Sequence, residues 1–323
     1  MPPLKVLVTG GSGFIGIHLV NLLREQKYLV LNLDISVPID NRNTDLWKNT
    51  SVTDYEALVR EILEFDPNFI VHLSATTTQN ARSLQEFEVN IQGTKNLIEI
   101  ANRLNHLEKL IFTSTQYVNT PGHPLSDDLS KLLPYGFYGQ SKLLGEELIR
   151  SNFASTAWTI IRPTNIWGPW HPILVNGLWK QISKGRYLHP LNDQSIKAYG
   201  YVENTVWQIA KIIRLENNLT DEKTFYLADA NLPQTEWVGG FVERLTKHKM
   251  RKIPKIFLFI LSEVGEALSK VGITFPLYRS RYRNLVTTNP SPLENTFNTL
   301  GPVPIGVNDA INRTCEWLEK VGS

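Results

Sequence analysis

Short apolar runs alternate with stretches of helical periodicity along the first half of the chain. Residues 5–9 (Lys-Val-Leu-Val-Thr) form an apolar run ended by glycines, a pattern typical of a strand buried on both faces. Residues 14–25 then carry apolar side chains at helical spacing, and the next apolar run, residues 28–33, ends in Asp34. The opening segment is therefore predicted to fold as strand, helix and strand.

The same alternation continues as far as Arg162. Helices are predicted over 55–65, 87–104 and 137–151, and strands over 69–73, 109–113 and 157–162. Strands that alternate with helices in this way build a parallel sheet with helices on both faces, the α/β doubly wound or Rossmann class. Because the crossovers are right-handed, the carboxyl ends of the strands meet along one edge, where such sheets bind ligands.

After Arg162-Pro163 the pattern loosens into short helices, short strands and prolines. We predict a first domain over residues 1–166 and a smaller C-terminal substrate lobe over residues 167–323. Between about 202 and 230 a helical pattern is followed by a strand pattern. This segment is predicted to return to the first domain, so the two domains interleave along the chain.

Composition narrows the possible functions. The 33 basic and 31 acidic residues nearly cancel, so we expect neither nucleic-acid binding nor stable membrane insertion. The single cysteine, Cys315, lies in an apolar-periodic stretch and is predicted to be buried and inert, which leaves no multi-cysteine metal site. Because Met1 leads directly into a strand pattern without a charged-plus-apolar leader, we expect a cytoplasmic protein. We also expect no metal site.

A glycine-rich turn lies between the first strand and the first helix. Its glycines, Gly10, Gly13 and Gly16, have the spacing that permits a tight turn, backbone approach to a diphosphate and close helix packing. The first-turn residues Phe14 and Ile15 would supply amide donors to the phosphates. The pattern predicts a dinucleotide-binding loop, although a purely structural glycine turn is the alternative.

Asp34 closes the second predicted strand, where a carboxylate can accept hydrogen bonds from both hydroxyls of a ribose. A carboxylate would repel a 2′-phosphate, and the next basic residue is Arg42. The position therefore favours NAD over NADP as cofactor. The alternative is an aspartate that merely opens a turn.

Tyr138 and Lys142 stand four residues apart and share one face of a predicted helix. A tyrosine whose phenolate is favoured by nearby positive charge can exchange a proton with a substrate hydroxyl at neutral pH. Thr115, which follows a predicted strand, is the candidate to hydrogen-bond the reacting oxygen, with Ser114 as the alternative. A solvated lysine beside a core tyrosine would explain the same spacing without chemistry.

These motifs together resemble the extended short-chain dehydrogenase/reductase family, and specifically its NAD-dependent nucleotide-sugar epimerase and dehydratase branch. The resemblance covers nearly the whole chain. It rests on the glycine loop, on the Tyr138 and Lys142 pair, and on residues 71–75 (Val-His-Leu-Ser-Ala), 90–97 (Asn-Ile-Gln-Gly-Thr-Lys-Asn-Leu) and 162–169 (Arg-Pro-Thr-Asn-Ile-Trp-Gly-Pro).

The resemblance implies further site residues. Leu73, Ser74 and Ala75 would pass their backbone under the cofactor, and Asn90 would also belong to the cofactor site. Contacts to substrate would come from residues next to the catalytic threonine and in the C-terminal lobe, namely Ser114, Gln116, Asn165, Lys197 and Arg281. Lys142 would hold the nicotinamide ribose. Family members commonly pair through the helices that here span 90–104 and 138–151, so the resemblance implies a homodimer.

Departures from the family pattern bear on the reaction. Family dehydratases carry Asp-Glu directly after the threonine, whereas this chain has Gln116-Tyr117, which disfavours dehydration. Ser51 stands where many members have an adenine-binding aspartate. Lys197-Ala198 replaces the usual Arg-Asp, so the charge that meets a substrate phosphate could come instead from Arg279, Arg281 and Arg283, for which a solvated basic surface is the alternative.

The expected function is NAD-dependent epimerisation of a nucleotide-diphosphate sugar, by transient oxidation of a hydroxyl to a ketone and return of hydride to the opposite face. A 4-ketoreductase or dehydrogenase would use the same residues. An apolar run at 253–261 also resembles hydroxysteroid dehydrogenase relatives, and a predicted helix over 253–268 could lie on a membrane, although packing against the lobe is favoured. A non-catalytic dinucleotide sensor is the remaining alternative.

Overall fold

The computed structural model describes residues 3–78, 81–126, 128–154, 156–273 and 275–321. Its strands are β1 (Lys5–Thr9), β2 (Leu29–Asp34), β3 (Trp47–Asn49), β4 (Phe69–His72), β5 (Lys109–Thr113), β6 (Ala157–Pro163), β7 (Asn165–Trp167), β8 (His189–Pro190), β9 (Ile196–Tyr201), β10 (Lys223–Leu227), β11 (Ala230–Pro233) and β12 (Lys252–Ile253). Its helices are α1 (Phe14–Glu25), α2 (Tyr55–Phe65), α3 (Glu88–Ala101), α4 (Gly136–Asn152), α5 (Pro172–Leu174), α6 (Lys180–Ser183), α7 (Val202–Arg214), α8 (Asn217–Thr220), α9 (Gln234–Thr246), α10 (Lys255–Lys270), α11 (Arg279–Val286), α12 (Glu294–Leu300) and α13 (Val307–Val321). The predicted elements of the first half are confirmed, with bounds that differ by a few residues.

The main sheet has the strand order β10-β6-β5-β4-β1-β2-β3 among the described residues, and all of its strand pairs are parallel. The order reverses at β1, which pairs with β2 on one side and β4 on the other. This is a doubly wound sheet, and the predicted fold class is confirmed. The switch point is where such sheets leave a crevice for ligands, and the glycine loop follows β1 at that point.

Both faces of the sheet are buried, because alternate side chains of each strand enter opposite cores. In β1, Leu7 joins one core, while Val6 and Val8 join the other. Helices α2, α3 and α4 contribute Leu58, Leu97 and Ile149 to the first core, and helices α1, α7 and α12 contribute Leu19, Ile209 and Leu300 to the second. A sheet covered on both sides explains the near-continuous apolar runs seen in the sequence.

The chain forms two compact units. The first comprises 1–164, 202–228 and 292–303, and the second comprises 165–201, 229–291 and 304–323. The segment 292–303 belongs to the first unit because α12 packs on the sheet, where the Thr296 hydroxyl donates to the carbonyl oxygen of Tyr226 at 2.8 Å. The roles of cofactor-binding domain and substrate lobe, and the boundary at 166, stay predictions.

The second unit has its own sheet and core. Strand β9 pairs in parallel with β7 and antiparallel with β11. Beside this sheet Trp167 contacts the rings of Tyr201, Trp237 and Phe241 at centroid distances between 5.2 and 5.8 Å. Cys315 of α13 is buried, and burial raises the pKa of its thiol to about 12. A thiol that stays protonated at neutral pH is a poor nucleophile.

Candidate active site

The glycine loop makes a tight turn against the end of β4. The amide of Gly10 donates to the carbonyl oxygen of Leu33 at 2.9 Å, and the amide of Gly13 donates to the carbonyl oxygen of Gly10 at 3.1 Å. Gly10 has φ +74°, and a Cβ built there would lie 2.6 Å from the amide nitrogen of Ser74. The loop thus requires glycine at position 10, and its backbone lies against residues Leu73 and Ser74 of the predicted cofactor site.

Gly16 brings helix α1 close to the same loop. A Cβ at this position would lie 2.2 Å from the carbonyl oxygen of Gly10, which no side chain could occupy without moving backbone. Helix α1 begins at Phe14, directly after the turn, and Ile15 lies within its first turn. Its first turn carries no acidic residue. The positive end of the helix dipole is therefore available to an anion, as a bound diphosphate requires.

Asp34, at the end of β2, is half-buried beside the glycine loop. One carboxylate oxygen accepts a hydrogen bond from the Ser12 amide at 3.0 Å, and the other accepts one from the Ser36 amide at 2.9 Å. Each carboxylate oxygen can accept a second hydrogen bond, so the group can still bind a ribose hydroxyl. The arrangement fits the adenosine ribose of NAD and would repel a 2′-phosphate.

We expect Asp34→Ala to weaken NAD binding by roughly 10-fold to 100-fold, because a hydrogen bond to a charged group contributes about 1.5 to 3 kcal/mol. Discrimination against NADP should fall as well, since the repelling charge is gone. Calorimetric titration with both dinucleotides measures the two effects. Asp45→Ala, which removes an exposed carboxylate paired with Arg24, is the matched control and should leave both affinities unchanged. Unchanged NAD affinity in Asp34→Ala would assign Asp34 to the turn alone.

Tyr138 lies in the first turns of α4, which begins at Gly136, and its ring packs against Phe87 with centroids 6.1 Å apart. Burial raises the pKa of its phenol to about 12, while a side-chain hydrogen bond with Thr115 lowers the pKa. Thr115 itself is buried directly beyond β5, and its hydroxyl accepts the amide of Tyr117 at 3.3 Å. The structure therefore brings together the two hydroxyls that the sequence assigns to the reacting oxygen.

Lys142 is buried one turn further along α4. Its ammonium donates to the carbonyl oxygen of Thr113 at 2.8 Å and lies over the ring of Phe112, 5.3 Å from the centroid. Burial lowers the pKa of Lys142 from 10.5 to about 7, partly offset by the negative charge of Glu146. A buried lysine with a pKa near 7 at the edge of a sheet is typical of a functional site.

Asn90 connects the pieces of this site. Its side-chain amide donates to the hydroxyl of Ser141 at 2.9 Å and to the carbonyl oxygen of Thr76 at 3.0 Å, and its carbonyl oxygen accepts the amide of Thr76 at 2.7 Å. Ser141 precedes Lys142, and Thr76 follows Ala75. Asn90 thus holds the segment after β4 against the helix that carries the tyrosine and lysine.

Two of the side chains that the sequence assigned to substrate contact are buried at this edge without a protein partner among the described residues. They are the hydroxyl of Ser114 and both amide atoms of Gln116. Burying such groups without a hydrogen bond costs stability, so a bound water or ligand would find donors and acceptors here. Both residues were predicted to contact substrate, and those roles stay predictions.

His72, which the sequence identified only as part of a motif, is a buried residue of β4 that contacts side chains next to the site. Burial lowers the pKa of its imidazole to about 3, so the ring is neutral. Its Nδ1 atom lies 2.7 Å from the hydroxyl of Thr9, and its ring stacks on Phe112, the ring under the Lys142 ammonium. Neither partner is near in sequence, so only the parallel register of β1, β4 and β5 could reveal the contact.

A cleft beside Tyr138 is lined mainly by aromatic rings. They belong to Phe87, Tyr117, Tyr135, Phe137 and Tyr138 itself. Rings of this kind offer apolar faces to the C–H groups of a sugar, with polar edges for its hydroxyls. Sequence patterns missed this lining because Phe87 and Tyr117 lie in single 3-10 turns and Tyr135 directly precedes α4, and such short segments show no periodicity.

The predicted residues of the second unit make contacts of their own. The Asn165 side-chain amide donates to the carbonyl oxygen of Ala198 at 2.8 Å. The buried ammonium of Lys197 donates to the side-chain oxygen of Asn284 at 2.9 Å, and burial lowers its pKa to about 8. Arg281 is exposed, lies over the ring of Tyr278 and donates to the carbonyl oxygen of Pro276. Their roles toward substrate stay predictions.

Among the described residues, no three His, Cys, Asp or Glu side chains gather as a metal site requires. The functional groups that the structure brings to this edge of the sheet are the glycine loop and the side chains of Thr115, Tyr138 and Lys142.

The chain is similar to known proteins over its whole length. The sequence profile of the NAD dependent epimerase/dehydratase family matches residues 6–226. The N-acetyl-alpha-D-glucosaminyl-diphospho-ditrans,octacis-undecaprenol 4-epimerase of Escherichia coli O157:H7 is 26% identical, and the match covers 97% of this chain and 95% of that protein. A sterol-4-alpha-carboxylate 3-dehydrogenase (decarboxylating) of Schizosaccharomyces pombe is 27% identical over 69% of this chain and 68% of its own length. In fold, the chain matches the crystal structure of a UDP-glucose 4-epimerase with UDP-glucose from Thermotoga maritima, with a TM-score of 0.76, 20% identity, and coverage of 99% of this chain and 100% of that one.

Proposed function

Because the chain belongs to the NAD dependent epimerase/dehydratase family, an NAD-dependent group of the extended short-chain dehydrogenase/reductase type, we propose that it inverts a carbinol carbon of a nucleotide-diphosphate sugar. The observation that carries the proposal is the convergence of Thr115, whose hydroxyl lowers the pKa of the buried Tyr138 phenol, with the buried Lys142 one turn away on the same helix. Gln116 and Tyr117 stand where dehydratases carry an acidic pair, which argues against water elimination.

NAD, when bound, supplies the acceptor and donor of hydride. Tyr138 takes the proton of the sugar hydroxyl as the carbon becomes a ketone, and returns it as the carbon is reduced. Thr115 hydrogen-bonds the same oxygen and holds it at the phenol. Lys142 favours the phenolate by its positive charge, because an ammonium near the phenol lowers the energy of the anion.

A second candidate substrate is a sugar whose diphosphate is attached to a polyprenol instead of a nucleoside. The Escherichia coli relative that matches the chain along nearly its full length is, by its name, an epimerase of a sugar linked through a diphosphate to a polyprenol. The Tyr138, Thr115 and Lys142 chemistry acts on the sugar alone and suits either carrier. The full-length match favours testing an N-acetylated hexosamine first.

The experiment offers the protein UDP-linked and polyprenyl-diphosphate-linked N-acetylglucosamine in parallel, together with GDP- and dTDP-linked hexoses. Proton NMR should reveal an epimeric product, with the carbon-bound hydrogen retained in deuterated water because hydride stays within the enzyme. Absorbance at 340 nm should remain flat after mixing. Stoichiometric accumulation of NADH would instead identify a dehydrogenase, and turnover of a 3β-hydroxysterol alone would identify the sterol-type reaction.

A further inference from the structure

Helix α10 carries apolar residues on two sides, and only one side is covered by the chain. The covered side consists of Leu258, Ser262 and Gly265, which recur every third or fourth residue and are buried. Gly265 lies so close to the segment before α11 that a Cβ there would collide with the carbonyl oxygen of Leu277. This side therefore forms the contact within the second unit. The sequence favoured a helix that packs against the lobe, and on this side it does.

The other side of α10 is exposed and apolar. We call it the apolar stripe, and it consists of Ile256, Phe257, Ile260 and Val264 of the helix and Val271 directly after it, with exposed fractions of 60, 55, 50, 46 and 70%. At 3.6 residues per turn these positions fall within about 100° of the helix circumference. The charged residues at 255, 263, 266 and 270 fall outside that arc. An uninterrupted apolar surface of this kind is unusual on a protein that is not covered there.

A basic segment leads directly into the helix. We define it as residues 247–255, which contain the exposed side chains of Lys247, Lys249, Arg251, Lys252 and Lys255 and no acidic residue. Backbone hydrogen bonds between β12 and β8, such as the one from the Leu191 amide to the carbonyl oxygen of Ile253 at 2.7 Å, hold the segment on the fold. Positive charge is thus concentrated at one end of the apolar stripe.

The contrast with the rest of the chain is large. From 247 to 283 there are nine basic and two acidic residues, although the whole chain carries a net charge of only +2. One of the two acidic residues, Glu263, is already paired with Arg279. The surface around α10 is therefore strongly positive while the remainder of the chain is negative.

We propose that the apolar stripe and the basic segment dock the protein on a membrane surface that bears anionic lipid headgroups. An apolar helical face beside lysines and arginines is the pattern of a helix that lies in the plane of the interface, with its apolar side among the acyl chains. No helix within the described residues is long and apolar enough to cross a bilayer, so the contact is peripheral.

Charge distinguishes this occupant from a second copy of the chain. A symmetric contact through the apolar stripe would bring together two surfaces that each carry nine basic and only two acidic residues, and like charges oppose such an interface. Anionic headgroups neutralise the same charges. The inference goes beyond the proposed function and does not depend on it, because docking requires neither cofactor nor catalysis.

The test is co-sedimentation of the full chain with sucrose-loaded vesicles, without cofactor or substrate. Vesicles of phosphatidylcholine with one third phosphatidylglycerol should bind the protein, and pure phosphatidylcholine vesicles should bind it at least 10-fold more weakly. Binding to the anionic vesicles should weaken as salt rises, because the charge contribution is screened. Equal binding to both vesicle types, or none to either, would overturn the proposal.

Two sets of variants separate the apolar and charged contributions. Phe257→Ser with Ile260→Ser should reduce vesicle binding at least 10-fold, and Lys247→Gln with Lys249→Gln should remove the preference for anionic lipid. The matched controls alter exposed residues elsewhere, Ile173→Ser with Leu219→Ser and Lys184→Gln with Lys223→Gln, and should bind as the parent does. Thermal melting verifies that each variant folds. If the stripe variant instead abolishes a dimer seen by sedimentation and leaves vesicle binding intact, a second copy covers the stripe and the proposal is wrong.

Discussion

Tyr138→Phe should lower turnover about 10³-fold while NAD still binds with nearly the parent affinity. The substitution removes one oxygen, and the ring keeps its contact with Phe87. General acid–base groups typically contribute between 10²-fold and 10⁴-fold to a rate, and the phenol is the group placed to exchange the substrate proton. Initial rates by NMR, combined with calorimetric titration of NAD, separate the chemical effect from binding.

The pKa of Tyr138 sharpens this prediction. Burial raises the pKa to about 12, so a phenolate would be scarce at neutral pH without further help. Positive charge near the phenol lowers its pKa, and Lys142, on the same helix face, supplies such a charge whenever it holds its proton. The rising limb of turnover against pH should therefore lie well below pH 12 in the parent enzyme. It should shift upward when the lysine charge is removed.

Tyr28→Phe is the matched control, because Tyr28 is a half-buried tyrosine of the first unit whose ring packs against the core. It should keep full turnover. A Tyr138→Phe variant that retains turnover within a few-fold of the parent would sink the assignment of the proton-transfer role, and would revive the interpretation of the chain as a dinucleotide sensor.

Most of what the sequence predicted depends on local pattern. The apolar runs of β1, β4 and β5 and the glycines of the loop report their own surroundings, because burial on both faces and tight turns restrict residue types at each position. The spacing of Tyr138 and Lys142 is likewise fixed by one helix. These features could be predicted because no distant residue had to be known.

What the sequence missed depends on long-range contact. The hydrogen bond from the Lys197 ammonium to the side chain of Asn284, 87 positions along the chain, has no signal in the sequence. The return of residues 292–303 to the first unit rests on Thr296 and Leu300, neither of which has a distinctive sequence signal. In α10, apolar periodicity indicates a helix but does not tell which of its faces the chain covers. Such features depend on contacts between residues that are distant in sequence and meet only in the folded chain.

Lys142→Met should lower turnover about 10²-fold to 10⁴-fold relative to the parent. The variant should nevertheless be at least as stable as the parent at pH 7. Burial lowers the pKa of Lys142 from 10.5 to about 7, and each unit of that shift corresponds to about 1.4 kcal/mol against the charged form. Methionine has a similar volume and no charge to desolvate. The lost hydrogen bond to Thr113 offsets part of the gain.

The pH dependence of stability gives the second readout, and its sign follows from proton binding. Between pH 7 and pH 10.5 the unfolded lysine still holds its proton while the folded one does not, so parent stability should rise with pH across that window. Lys142→Met removes this contribution, and its stability advantage should shrink as pH rises. Urea denaturation of the cofactor-free proteins at pH 7 to 10 measures the difference between them.

Lys109→Met supplies the matched control, because Lys109 is another buried lysine of the first unit, with a pKa lowered by burial to about 8. Its ammonium donates to the carbonyl oxygens of Ile212 and Leu215 at the end of α7, away from the Tyr138 hydroxyl. Stability should change in this variant while turnover does not. If instead Lys142→Met were less stable than the parent at pH 7 and kept its turnover, Lys142 would be a structural lysine. A functional lysine, by contrast, is retained although its burial weakens the fold.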